Sequence, residues 1–349
     1  MAVYTHLGAE DIAGLIAAYD VGTLVCAKGI AEGVSNSNWL IDTTGSSGGS
    51  SGGSSGDTAH DAAGDMAGVR ARYILTMYEF RIDLDDLPYF LSLLDHLAAH
   101  GCPVPRTIHD RSGALYRRIA AGNAAAQKAV ALIEFLPGVS VGVPTPGQAR
   151  AVGTELARLH LEAANFPASR PNAMGPGEWR RLAEACGDAG LATIDPWLAR
   201  LVADELPRIT RDWPTDLPCG VIHADLFPDN VLVLGDTITG MIDFYFACND
   251  VIAYDLAITH LAWCWDAADG TFRADLSQAL IAGYQGLRPL LPTERAALPL
   301  LAQGAAMRFT LSRAYDWLNT PKDALVNPKD PLPMARRLQF YRDNPGVFA

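Results

Sequence analysis

One stretch constrains this chain more than any other: Val221-Ile222-His223-Ala224-Asp225-Leu226-Phe227-Pro228-Asp229-Asn230-Val231-Leu232, with Asp243 closing the run Thr237-Ile238-Thr239-Gly240-Met241-Ile242. Two apolar pairs bracket a loop that holds a histidine, two carboxylates and an amide. Such a segment leaves the core as a strand, shows its polar groups in the loop and returns as a strand. Residues 237–242 are expected to form a further strand that delivers Asp243 to the same end. Asp225 and Asn230 are five positions apart, and Asp243 follows Asp225 by eighteen. A His-x-Asp loop also arises by chance, and either aspartate can serve as a cap or turn residue. Asp243 at a strand end, at that distance, favours a shared site.

Three oxygen-bearing side chains at one place suit phosphoryl transfer. Moving a γ-phosphoryl group needs little covalent help from protein, but it needs an attacking hydroxyl held in line and a divalent metal across the phosphate oxygens. Mg2+ prefers hard oxygen ligands and accepts few protein groups, so one carboxylate and one amide oxygen suffice. The spacing from Asp225 to Asn230 matches the catalytic-loop pattern of kinases, in which the Asp takes the proton of the attacking hydroxyl and the Asn holds a magnesium ion. Asp243 stands where that pattern has the aspartate of the main magnesium.

Composition sets the outer bounds. A chain of 349 residues, 49% hydrophobic and 19% charged, has enough apolar content to bury two cores of ordinary domain size. The formal net charge of -12 argues against a nucleic-acid partner, because counterion release needs clustered Lys and Arg. Any nucleotide polyphosphate must then be met by backbone N–H groups, metal and a few local cations. Cys26, Cys102, Cys186, Cys219, Cys248 and Cys264 are scattered without a C-x-x-C pair and read as reduced thiols. No basic start with an apolar run opens the chain, and no uncharged apolar stretch reaches membrane length, so a cytoplasmic protein without a membrane partner is expected.

Along the chain, residues 7–19 suggest an amphipathic helix, and residues 22–26 and 28–30 read as strand. Residues 31–38 read as a Gly-, Ser- and Asn-bearing turn before the strand 39–41. Such a turn can face an anion, and a plain hairpin turn has the same composition. Residues 45–68, opening with a four-residue Ser/Gly repeat, form a flexible insert between the strands 39–41 and 72–78. A helix over 84–100 and strands over 113–119 and 129–136 complete an N-terminal lobe, 1–137. An open backbone edge at Glu134 to Leu136 is a candidate partner for an adenine ring.

Residues 138–349 form a mainly helical lobe, with helices over 146–164, 179–185, 196–209, 250–265, 273–286 and 292–318 and a Pro-rich tail. His160 is expected to be a hydrogen-bonded core residue, and Asp255 to cap its helix and brace the catalytic loop. Arg308 and Arg313 on the last long helix are each suited to a substrate carboxylate and equally to a surface ion pair.

The runs His223-Ala224-Asp225 with Asn230, Ile242-Asp243-Phe244-Tyr245 and Tyr254-Asp255-Leu256-Ala257 resemble the aminoglycoside phosphotransferase and choline kinase superfamily. Gly29 to Asn38, Tyr73 to Glu79, Asp86 to Phe90, His223 to Phe227 and Ile242 to Cys248 together look like the homoserine kinases of that superfamily. The resemblance extends from the first residues to about Leu318, leaving out the Ser/Gly insert and the tail.

It implies an α+β, bilobal, protein-kinase-like fold, with an antiparallel N-terminal sheet and one helix beside a larger helical C-terminal lobe. It also implies ATP, Mg2+ and L-homoserine, the product serving threonine biosynthesis. Asp225 would be the catalytic base, Asn230 and Asp243 the magnesium ligands, and Ser35, Asn36, Ser37 and Asn38 the phosphate-facing turn; His223 and Tyr245 join Arg308 and Arg313 as substrate candidates. The strand 73–80 departs from the general kinase pattern because it holds no lysine, so Lys28 or Arg81 would supply the charge. Choline, ethanolamine or an aminoglycoside is the alternative acceptor, and a non-catalytic nucleotide-binding protein the alternative class.

Overall fold

The computed structural model describes residues 7–30, 36–44, 70–79, 83–120, 127–321 and 327–348. The Ser/Gly insert, Ser35 and Arg81 lie outside them. The chain divides into two compact units, one of Met1–Ser92 with Arg106–Phe135, the other of Leu93–Pro105 with Leu136–Ala349.

The first unit holds helix α1 (Ala9–Ile16), strands β1 (Thr23–Ile30), β2 (Asn36–Thr44) and β3 (Arg70–Tyr78), the start of helix α2 (Leu87–Ala99), and strands β4 (Thr107–Ile108), β5 (Arg117–Ala120) and β6 (Gln127–Glu134). The sheet runs β1-β2-β3-β6-β4 with β5 also on β6, and every pairing is antiparallel. The alternation of strand side chains puts Trp39, Ile41, Leu75, Met77, Val130 and Leu132 on one face, where Ile12 and Ile16 of α1 cover them. The strand pieces expected at 22–26 and 28–30 are one strand whose register slips between Leu24 and Cys26.

The second unit contains the end of α2, strand β7 (Val139–Ser140), helices α3 (Pro146–Glu162), α4 (Pro176–Ile194) and α5 (Pro196–Arg211), and strands β8 (Cys219–Ile222), β9 (Val231–Leu234), β10 (Thr237–Met241) and β11 (Cys248–Val251). Helices α6 (Ile252–Trp263), α7 (Ala274–Leu287), α8 (Pro292–Asn319) and α9 (Leu332–Asp343) follow. Proline at the first turn of α3, α4, α5, α8 and α9 starts each without losing a hydrogen bond. Helix α9 falls in the tail read as merely Pro-rich. Its prolines sit at its start, and Met334, Leu338 and Tyr341 bury at helical spacing.

Helix α6 is buried on nearly every side, as its unbroken apolar sequence requires. Helices α3 and α7 touch backbone to backbone: a Cβ on Gly283 would lie 2.0 Å from the Arg150 carbonyl oxygen, and one on Gly153 2.2 Å from that of Leu280.

Two antiparallel pairs set the loops. In one, Ile222 at the end of β8 faces Cys248 at the start of β11; in the other, Val231 at the start of β9 faces Met241 at the end of β10. The connections 223–230 and 242–247 therefore leave the strands side by side.

Candidate active site

Each of these connections contains one residue in the left-handed region, Ala224 (φ 63°) and Asp243 (φ 66°). That conformation costs a residue with a Cβ about 1–2 kcal/mol and persists where its surroundings over-determine it. At Ala224 they do. Its N–H donates to Asp255 Oδ1 at 2.8 Å, its carbonyl accepts from Arg308 Nη1 at 2.6 Å, and the preceding His223 N–H donates to Asp255 Oδ2 at 2.6 Å.

Asp255, fully buried on α6, also accepts from His160 Nε2 at 3.1 Å, and His160 Nδ1 then accepts from the Tyr284 hydroxyl at 2.8 Å. Burial alone would raise the Asp255 carboxyl, but the His160 hydrogen bond, the neighbouring histidines and the His223 N–H outweigh it and hold the pKa low. Asp255 thus braces the loop, whereas the N-cap position of α6 belongs to Val251.

The candidate reactive groups follow this brace. Asn230 Nδ2 donates to the Asp225 carbonyl at 2.8 Å and to Asp225 Oδ2 at 3.3 Å, which leaves its Oδ1 outside both bonds. The Ile242 N–H donates to the Asn230 carbonyl at 3.0 Å and so ties the end of β10 to the loop. Burial, then the charges of Asp243 and Asp229, push Asp225 up to about 7 against the opposing pull of Arg308. Desolvation and Asp229 push Asp243 up to about 6, although that side chain remains exposed to water.

The other candidates separate. The ring of His223 is fully buried; its Nε2 donates to the Ile242 carbonyl at 3.0 Å and its Nδ1 accepts from the Asp225 N–H at 3.2 Å, so neither nitrogen is left for a substrate. Arg308 is 2% exposed and so is not a surface ion-pair partner. Arg313 is half-buried. Its Nη1 lies 3.4 Å from the Asp330 carbonyl, and the charges of Asp225, Asp229 and Asp330 act on it. Tyr245 lies in the 3-10 turn Phe244–Phe246 directly after Asp243. The tail contributes a group that sequence reading passed over, Lys329, whose Nζ stands 3.6 Å from Asp229 Oδ2. No local pattern could have signalled it, because the two partners are far apart along the chain.

In the first unit, Asn36, Ser37 and Asn38 belong to β2 and not to a turn, since each already pairs with β3. Ser37 Oγ donates to Glu79 Oε1 at 2.7 Å, and Glu79 also pairs with Lys128. Asn38 Oδ1 accepts from Thr76 Oγ1 at 2.9 Å. Lys28, exposed on β1, sits opposite Leu40 and so shares a face with Asn38 and Thr76, whereas Ser37, Glu79 and Lys128 lie on the other face. At the edge expected from Glu134 to Leu136, the Glu134 N–H donates to the Arg106 carbonyl at 2.9 Å and the Glu134 carboxylate pairs with Arg106. Strand β4, too short to show in the sequence, brings Arg106 there. Leu136 begins the longer segment of the second unit.

An αL-strained aspartate loop braced from below, with a second carboxylate delivered beside it, defines a phosphotransferase of kinase-like fold. The model of the phosphotransferase enzyme family matches residues 27–290, and the chain belongs to that family. The chain is similar to the homoserine kinase of Azorhizobium caulinodans, 46% identical over 98% of this chain and 96% of that one. It is similar also to the homoserine kinase of a Methylobacterium species, strain 4-46, at 47% identity with the same coverage. Among solved structures it shares its fold with the amicoumacin kinase hAmiN in complex with AMP-PNP, Ca2+ and Ami, at a TM-score of 0.66 and 15% identity over 98% of this chain and 95% of that one. The α+β kinase-like fold stands, and the protein is an enzyme. All six cysteines are unpaired, and among the described residues no helix is long and apolar enough to cross a membrane.

Proposed function

We propose that this enzyme transfers the γ-phosphoryl group of ATP to the hydroxyl of L-homoserine, giving ADP and O-phospho-L-homoserine for threonine biosynthesis in the cytoplasm. The observation that carries the acceptor is the 46–47% identity to homoserine kinases over nearly the whole chain. The braced loop carries the chemistry. Asp225 accepts the proton of the attacking hydroxyl, and its raised pKa suits a base working near neutral pH.

Asn230 Oδ1 and the Asp243 carboxylate are a hard-oxygen pair that fits Mg2+, and two crowded carboxylates with raised pKa values favour a cation beside them. The bound ion would neutralise charge on the phosphate oxygens. Lys28 supplies the phosphate-directed cation in place of a β3 lysine, on the face it shares with Asn38, and the backbone at Leu136 meets the adenine. Of the two arginines, the half-buried Arg313, on which the Asp225 charge acts, is the one for an acceptor carboxylate, and Tyr245, just after Asp243, is a second candidate contact.

The test is ADP formation with ATP and Mg2+ against L-homoserine, choline, ethanolamine and an aminoglycoside, run beside Asp225→Asn. Turnover of homoserine alone is expected, with kcat in Asp225→Asn lower by about 10²–10⁴-fold and nucleotide affinity retained. Turnover of another alcohol in its place would refute the acceptor, and an unchanged Asp225→Asn would refute the base.

A further inference from the structure

Arg308 is a cation in the wrong place for stability. It is 2% exposed on α8, and among the described residues it makes no direct ion pair, its charge acting on Asp225 only from beyond contact. Removing a guanidinium from water without a paired charge is costly unless hydrogen bonds and ring faces replace the lost hydration. What Arg308 holds instead is the site. Its Nη1 donates to the carbonyl of Ala224, the residue before Asp225, and its guanidinium lies 5.2 Å from the ring centroid of Phe246, three residues after Asp243. It also lies 4.6 Å from the ring of Phe309, which packs edge-on against Phe227 of the catalytic loop at 4.9 Å.

One planar group therefore touches both connections that carry the reactive side chains. The strained Ala224 is gripped at both of its backbone groups by buried side chains, Asp255 on its N–H and Arg308 on its carbonyl.

We propose that Arg308 is a positioning residue, a clamp that sets the catalytic loop against the Asp243 turn so that Asp225 faces the acceptor hydroxyl. The proposal rests on the phosphotransfer reading above and reaches further, because it assigns Arg308 to loop geometry and removes it from substrate recognition. A lysine cannot replace it: an ammonium lacks the flat fork that bonds a carbonyl while stacking on two rings.

The decisive variant is Arg308→Ala, assayed for kcat, for the KM of both substrates, for thermal melting and for amide hydrogen exchange at Ala224 and Asp225. Expected are a loss of kcat of about 100-fold with both KM values nearly kept, faster exchange at those two amides, and recovery of kcat on adding millimolar guanidinium but not ammonium. A folded variant with wild-type kcat, with its loss confined to the KM of the acceptor, or without guanidinium rescue overturns the proposal; a KM effect would return Arg308 to carboxylate binding. If Arg308→Ala does not fold, Arg308→Lys decides: a kcat-only loss supports the clamp and wild-type kcat refutes it. Should the unaltered enzyme ignore homoserine, the acceptor reading fails by itself, and the clamp is judged on exchange at Ala224 and on whichever alcohol is turned over.

Discussion

Replacing Asp255 by asparagine tests the brace beneath the catalytic loop. The carboxylate takes three donors on two oxygens: Oδ2 receives the His223 N–H and His160 Nε2, and Oδ1 receives the Ala224 N–H. Asparagine has one oxygen, so whichever way it turns, its NH2 group faces a buried donor. A hydrogen bond to a charged group contributes about 1.5–3 kcal/mol and an orphaned buried donor costs about 1–3 kcal/mol, so Asp255→Asn should lose about 3–5 kcal/mol. Against a total of about 5–15 kcal/mol the variant folds, though marginally.

Urea titration measures the loss, and kcat should fall about 100-fold because Asp225 hangs from Ala224. The pH dependence carries a sign of its own. The folded-state pKa of Asp255 is depressed, so its contribution is present above the unfolded value of about 3.9 and is lost as pH falls through the folded value. The stability curves of the two proteins should therefore converge below about pH 4. A loss under about 1 kcal/mol with unaltered kcat would mean that the loop is held elsewhere, and would sink the reasoning.

Two further perturbations probe the helical unit. Gly283→Ala should destabilise by about 1–3 kcal/mol despite a helix-propensity gain of about 1 kcal/mol, because the new Cβ meets the Arg150 carbonyl at 2.0 Å; equal or higher stability in urea would show that α3 and α7 do not cross so closely. His260, buried and hydrogen-bonded to Tyr341 and Ser277, is pushed down by desolvation to about 3. Below the unfolded value of about 6.5 the unfolded chain binds the proton that the folded chain refuses, so stability should decline by up to about 1.4 kcal/mol per pH unit from about pH 6.5 toward 3. His260→Leu should flatten that slope, and an unaltered slope would place the acid sensitivity in another group.

Much of the fold is legible in the sequence. Helical periodicity in 146–164 and 292–318 and strand character in 72–78 and 129–136 are local signals, and the structure has elements over most of each span. Helix α9 escapes such a reading because Pro331 and Pro333 look like breakers. At a helix start they cost no hydrogen bond, and behind them Met334, Leu338 and Tyr341 bury along one face. Strand β4 is illegible for a different reason. Two residues carry no period, and β4 exists only because β6 lies beside it. Beside that pairing, Arg106 takes up the Glu134 N–H and carboxylate.

At the candidate site, residue types and spacing by themselves pointed to the class of chemistry. Asp225, Asn230 and Asp243 are the hard-oxygen groups that phosphoryl transfer needs, and apolar strands must carry them out of the core together. Tertiary structure alone decided what surrounds them. His223 and Arg308 have the chemistry of ligands, yet both are buried and bonded to backbone, whereas Arg313, five positions along the same helix, stays within reach of water. Spacing along a helix places two side chains on nearby turns, but the carbonyl that Arg308 meets comes from chain 84 positions away. Which cation is walled in and which reaches water is therefore a property of packing.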